Sequence, residues 1–160
     1  MKVTIKNKFF SVGGSSSVKD ESGNDVFFVK GKVFSPTKVK WVCDKAGNKL
    51  YMVRNKWFNF FSHRAYVYEG DNKIAQVKHP FLSGKRFEVE GYKDRITIDG
   101  EFFSRLSTIT RNGSAVGTIT REFTLVNDTF TLEADEADMP FMIALVIAID
   151  NIVDNITNTR

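Results

Sequence analysis

MPFMIALVIAID, residues 139–150, is the stretch that departs most from the rest of the chain. From Met139 to Ile149 it is apolar on every face of the helix it would form. Such a helix must be enclosed on all sides or lie in lipid. Asp138 can cap it, Pro140 is tolerated in its first turn, and Asp135 and Glu136 supply acids where the helix dipole favours them. The run Met139–Ile149 is shorter than the roughly 20 residues a membrane span needs. It is also last in a chain of strand-like segments, so it is expected to thread a barrel that they close. Asp150 and Asp154 are expected to mark where it emerges.

Upstream of the helix, apolar and polar residues alternate in short runs. Arg86-Phe87-Glu88-Val89-Glu90 and Arg95-Ile96-Thr97-Ile98-Asp99 have the period of two of a half-buried strand. Lys38 to Cys43 reads the same way, with Val39, Trp41 and Cys43 on the inner face and Lys38 and Lys40 on the outer. Asn112-Gly113 between Leu106–Thr110 and Ala115–Thr120 signals a type I′ hairpin, because both residues tolerate positive φ. A weak repeat runs through the first half, with asparagines at 24, 48 and 72 and valines at 29, 53 and 77. Its period suits two short strands and their connections. A propeller blade needs roughly 40 residues or more, so a meandering barrel fits better.

The chain has 160 residues, 42% hydrophobic and 26% charged, an ordinary globular composition that excludes disordered and collagen-like classes. One domain over residues 1–160 is expected, mainly β with a single helix. The lone Cys43 excludes an internal disulfide framework and fits a reducing compartment. Met1 to Phe10 lacks the apolar core of a signal peptide, and a cytoplasmic protein is the expectation. The net charge of +4 is unevenly spread. Residues 1–80 hold 15 Lys and Arg against 6 Asp and Glu, and residues 81–160 hold 8 against 13. Such asymmetry can mark an anion-facing side, unless the two halves interleave in space.

Several of these features together resemble the LURP-one-related family, whose fold is that of the Tubby C-terminal domain. They are an Asp-x-x-Gly-Asn turn leading to an aromatic-x-Val strand (Asp20 to Gly31) and a second such turn at Asp44 to Lys56. Ile98-Asp99-Gly100 ahead of a Phe-containing segment and the closing Leu145–Asp150 helix complete the set. The resemblance spans Met1 to about Asn155. It implies a closed antiparallel barrel of about twelve strands around a central apolar C-terminal helix. Tubby proteins bind phosphoinositides through a basic surface, and phospholipid scramblases are thought to share the barrel. No Tubby lipid-binding residue is carried over to this chain.

Chemistry-bearing residues are few. His63, His79 and Cys43 have no metal-site spacing, and no cofactor or metal is expected. Cys43 reads as a buried structural thiol. Glu88 and Glu90 are outward strand positions, and no Gly-rich phosphate loop precedes a helix. No catalytic residue is therefore assigned, and a non-enzymatic module is expected. Lys38, Lys40, Lys45, Lys49, Arg54, Lys56 and Arg64 surround the aromatic run Trp57-Phe58-Asn59-Phe60-Phe61. One reading is a membrane-contacting loop in which Lys38, Lys40, Arg54 and Lys56 meet anionic lipid head groups, with peripheral contact at most. The other is a core strand with solvated edge lysines in a structural or protein-partner domain. Nucleic acid is not expected, because no dense Lys/Arg stripe is present.

Overall fold

The computed structural model describes residues 1–6, 15–57, 63–79, 86–100, 106–122 and 129–158. Twelve strands follow one another: β1 (Lys2–Lys6), β2 (Ser15–Asp20), β3 (Asp25–Gly31), β4 (Lys40–Cys43), β5 (Lys49–Asn55) and β6 (Arg64–Glu69), then β7 (Asn72–Lys78), β8 (Arg86–Glu90), β9 (Ile96–Gly100), β10 (Leu106–Arg111), β11 (Ser114–Glu122) and β12 (Thr129–Ala134). A short 3-10 turn at Glu136–Asp138 leads into α1 (Met139–Asn158). Each strand pairs antiparallel with its neighbours in sequence, and β1 closes the barrel on β12 through Val3↔Leu132 and Ile5↔Phe130. Closure leaves no sheet edge to protect.

The period of 24 is a repeated hairpin. Asp20 and Asp44 each accept the backbone N–H of the asparagine four residues on, at 2.8 Å in both cases. The Asn24 and Asn48 side-chain amides donate back to the same carboxylates. Both turns close on a glycine of positive φ, Gly23 at 84° and Gly47 at 88°. The strands that follow, β3, β5 and β7, place Val29, Val53 and Val77 in the core. Asn112 and Gly113 join β10 to β11 with φ of 50° and 88°, as the type I′ expectation required.

Because the meander runs up and down, its connections sort to two ends. The turn end holds connections of two to five residues, namely 21–24, 44–48, 70–71, 91–95 and 112–113. The loop end holds the connection 32–39 and the ends of strands β1, β2 and β5 to β12 that point away from those turns. The helix enters at the turn end and runs toward the loop end. It packs closest to β4, β5 and β6, where the wall offers small inward side chains such as Val42, Val53 and Ala65. Phe87, Ile96, Ile98, Ile109 and Ile5 project inward from other strands and fill the remaining space.

Two expectations about the helix need correction. It does not end near Ile149: it continues to Asn158, and Asp150, Asn151, Ile152 and Val153 are all buried. The helix begins to emerge only at Asp154. Nor is it too short to span. Glu136–Ile156 is long and apolar enough to cross a membrane by length and composition, but most of it is buried within the barrel. Enclosure rather than lipid satisfies its apolar faces. Asp138 lies in the turn before the helix, and its carboxylate accepts a hydrogen bond from Arg111 at 2.8 Å, bracing that end to β10.

Candidate functional site

The four predicted ligand-binding residues fall into three environments. On β4 the predicted face is inverted: Lys40 and Val42 point inward, while Trp41 lies on the outside with the Lys49 ammonium 4.3 Å from its ring centroid. Cys43, after a shift of register, is buried as expected, and burial pushes its thiol pKa up. Lys40 is only 6% exposed. Its ammonium stands 3.8 Å from the carboxylate of Asp150, itself 3% exposed. The inversion has a simple cause. An acid in the apolar helix needs a cation, and β4 supplies one by turning its lysine inward.

A polar plug surrounds this pair where the helix approaches the loop end. Asn55 Nδ2 donates to the carbonyl of Asn151 at 3.2 Å, and Asn151 Nδ2 donates to the carbonyl of Lys38 at 3.0 Å. Lys38, with φ of 49°, holds Asp154 at 3.3 Å. Burial drives Lys40 down to about 8 and Asp150 up to about 7, each against the attraction of the other. A buried pair with such shifts would suit catalysis if substrate could reach it. The space lined by Ile5, Val29, Lys40, Phe130, Val146, Ile147 and Asp150 is about 10 Å³, room for one water at most. The pair is a structural tie.

Arg54 and Lys56 face solvent. Arg54 projects from β5 and donates to the Tyr68 hydroxyl at 2.8 Å, its guanidinium 5.0 Å from that ring. Lys56 follows β5 at the loop end, its backbone N–H bonded to the Arg64 carbonyl at 3.0 Å. Lys45 and Lys49, contiguous with these in sequence, lie at the turn end instead. The basic run is therefore split between the two ends of the barrel. Of the aromatic run, Trp57 is 57% exposed, and Phe58 to Phe61 lie outside the described residues. His63 and His79 are half-buried beside one another, His79 N–H bonded to the His63 carbonyl and the His79 ring 4.8 Å from Phe87.

The charge asymmetry survives folding. Strands β1 to β7 form one contiguous side of the wall and β8 to β12 the other, so within the wall the halves do not interleave; only the helix of the second half crosses over, with Asp154 and Asp150 answering Lys38 and Lys40. Within the basic side, all six acids, Asp20, Glu21, Asp25, Asp44, Glu69 and Asp71, cluster at the turn end. Lys6, Lys32 and Lys56 stand exposed at the loop end. Exposed apolar side chains, which alternation could not reveal, gather there too: Val33 at 44%, Phe34 at 92%, Trp57 at 57% and Leu106 at 57%.

An X-ray structure of a protein from Arabidopsis thaliana matches the fold with a TM-score of 0.64 and 18% identity, covering 98% of this chain and 91% of that one. No curated protein matches the sequence. The pattern of the LURP-one-related family matches residues 1–150, which takes in all twelve strands and the helix as far as Asp150. The chain belongs to the LURP-one-related family.

Proposed function

We propose that this chain is a non-enzymatic binding module for anionic phospholipid head groups, cytoplasmic and peripheral at the inner membrane face. The observation that carries this reading is the placement of all six acids of the β1–β7 side at the turn end, where Lys2, Lys45, Lys49 and Lys73 offset them, while Lys6, Lys32 and Lys56 stand exposed at the loop end with no acid of that side beside them. A cationic end facing an anionic surface gains about 1 kcal/mol per lysine or arginine near the head groups. Lys56 and Arg54 carry the contact, with Lys6 and Lys32 beside them on the same side of the wall. Lys38 shares its ammonium with Asp154 and contributes less. Lys40 takes no part, because it is enclosed.

The test is flotation with vesicles of phosphatidylcholine alone or mixed with phosphatidylserine, across a salt series. Binding is expected only with the anionic lipid and is expected to weaken as salt rises, since exposed charges are screened within roughly 10 Å at 0.1 M. Replacing Lys6, Lys32, Arg54 and Lys56 by Gln should lower affinity by about a thousandfold. Each exposed change should leave stability within about 0.5 kcal/mol. Protein that ignores anionic vesicles at low salt would refute the reading, and the protein-partner alternative, favoured by the exposed apolar side chains, would lead.

A further inference from the structure

Four of the five exposed large apolar side chains among the described residues share one end of the barrel; the fifth, Met1, is at the other. Phe34 is the most exposed of them and has a backbone φ of 54°. A left-handed conformation costs a bulky residue free energy that glycine or asparagine would largely avoid. Neither the turn nor the core therefore explains a phenylalanine here. Nor does the connection hang loosely. Lys32 N–H donates to the Val39 carbonyl at 2.9 Å, Lys38 N–H to the Ser35 carbonyl at 3.0 Å and Val39 N–H to Ser35 Oγ at 3.1 Å. Asn55 N–H donates to the Thr37 carbonyl at 2.7 Å, tying the loop to β5. The fold braces the backbone around an exposed aromatic ring.

The neighbours of that ring select its occupant. Lys32 directly precedes Val33-Phe34, and Lys56 directly precedes Trp57, so both of these exposed apolar groups have an exposed cation beside them in sequence. An apolar tip with a cationic collar matches the boundary between hydrocarbon and anionic head groups.

We infer that the loop end enters the bilayer, Phe34 and Trp57 passing below the head groups while Lys32 and Lys56 remain among them. This rests on the anionic-lipid reading and adds an apolar anchor and an orientation to it. The full chain carrying Trp41→Phe makes Trp57 the sole tryptophan and hence the reporter. With phosphatidylcholine–phosphatidylserine vesicles, Trp57 emission should shift to the blue and be quenched by lipids brominated in the acyl chains. Phe34→Ser should weaken binding by about tenfold to a hundredfold, and Phe34→Leu should restore most of it. Unchanged denaturation midpoints would show that both variants fold.

Binding to anionic vesicles without a Trp57 shift or a Phe34→Ser effect, fully released by salt, would overturn the insertion and leave the head-group reading standing. Trp57 quenching that is equal with phosphatidylcholine alone would uphold insertion and overturn the anionic reading. No binding to either kind of vesicle would overturn both.

Discussion

Lys40→Met keeps much of the length of the side chain and deletes its charge, which leaves the Asp150 carboxylate inside the barrel without its nearest cation. At 3.8 Å and an effective dielectric of about 20, the lost attraction is about 4 kcal/mol. Desolvation of both groups offsets most of that in the native protein, so the net worth of the pair is small. The half-pair is different. Removing one partner of a buried ion pair costs about 3–5 kcal/mol, because the other charge stays buried. Lys40→Met should therefore lose up to about that much in urea denaturation at pH 8, above the pH at which Asp150 ionises in the parent. The double variant Lys40→Met/Asp150→Leu should regain it, and ends level with the parent or about 1–4 kcal/mol more stable.

The pH dependence has a definite sign. Burial raises the Asp150 carboxyl to about 7, so between its ordinary 3.8 and 7 the folded state binds a proton that the unfolded state has released. Stability from this group is fully present below that window and is lost as pH rises through it. Without Lys40 the carboxyl rises further, and the Lys40→Met deficit should grow between about pH 5 and about pH 8. A Lys40→Met protein within about 1 kcal/mol of the parent at both pH values would refute the burial argument, as would a double variant no more stable than the single one.

Leu145 is fully buried, and Leu145→Asp should leave no cooperatively folded, soluble protein, as judged by thermal denaturation and solubility. Gly117→Ala should cost about 1–3 kcal/mol in the same denaturation assay, because a Cβ there would lie 2.6 Å from the Glu133 carbonyl oxygen on β12, and backbone cannot swing aside. Lys40→Leu/Asp150→Leu, provided it folds, should bind anionic vesicles like the parent, since neither group reaches the surface.

The enclosed helix was legible because an all-round apolar run admits few alternatives. The hairpins were legible because Asp, Gly and Asn occupy turn positions that demand them. The inward lysine was not. Alternation on β4 gives two registers, and hydrophobicity favours the one with Trp41 inside. What decides between them lies more than a hundred residues away, in a single acid within an apolar helix. The end of the helix was misplaced for the same reason. Asp150, Asn151 and Asp154 look like termination signals until Lys40, Asn55 and Lys38 are known to receive them. The loop end had one partial signal, the aromatic residues beside Lys56; its assembly depends on the up-and-down topology.

The helix also separates structural charge from charge left over. Its axis runs from the turn end to the loop end, so the positive pole of its dipole meets Asp135, Glu136 and Asp138, and Lys38 lies toward the negative pole through Asp154, while Lys40 answers Asp150 further inside. Part of the contrast between the ends is thus what any helix threaded in this direction would favour. Lys38 and Lys40 are accounted for in this way, each facing one aspartate of the helix. Lys6, Lys32 and Lys56 are not, since they stand exposed on the rim of the wall rather than against the helix. Folding does not require cations there, and repulsion among them works slightly against it. Their position at the same end as Val33, Phe34 and Trp57, which folding leaves exposed, points this charge and this apolar surface toward the same partner.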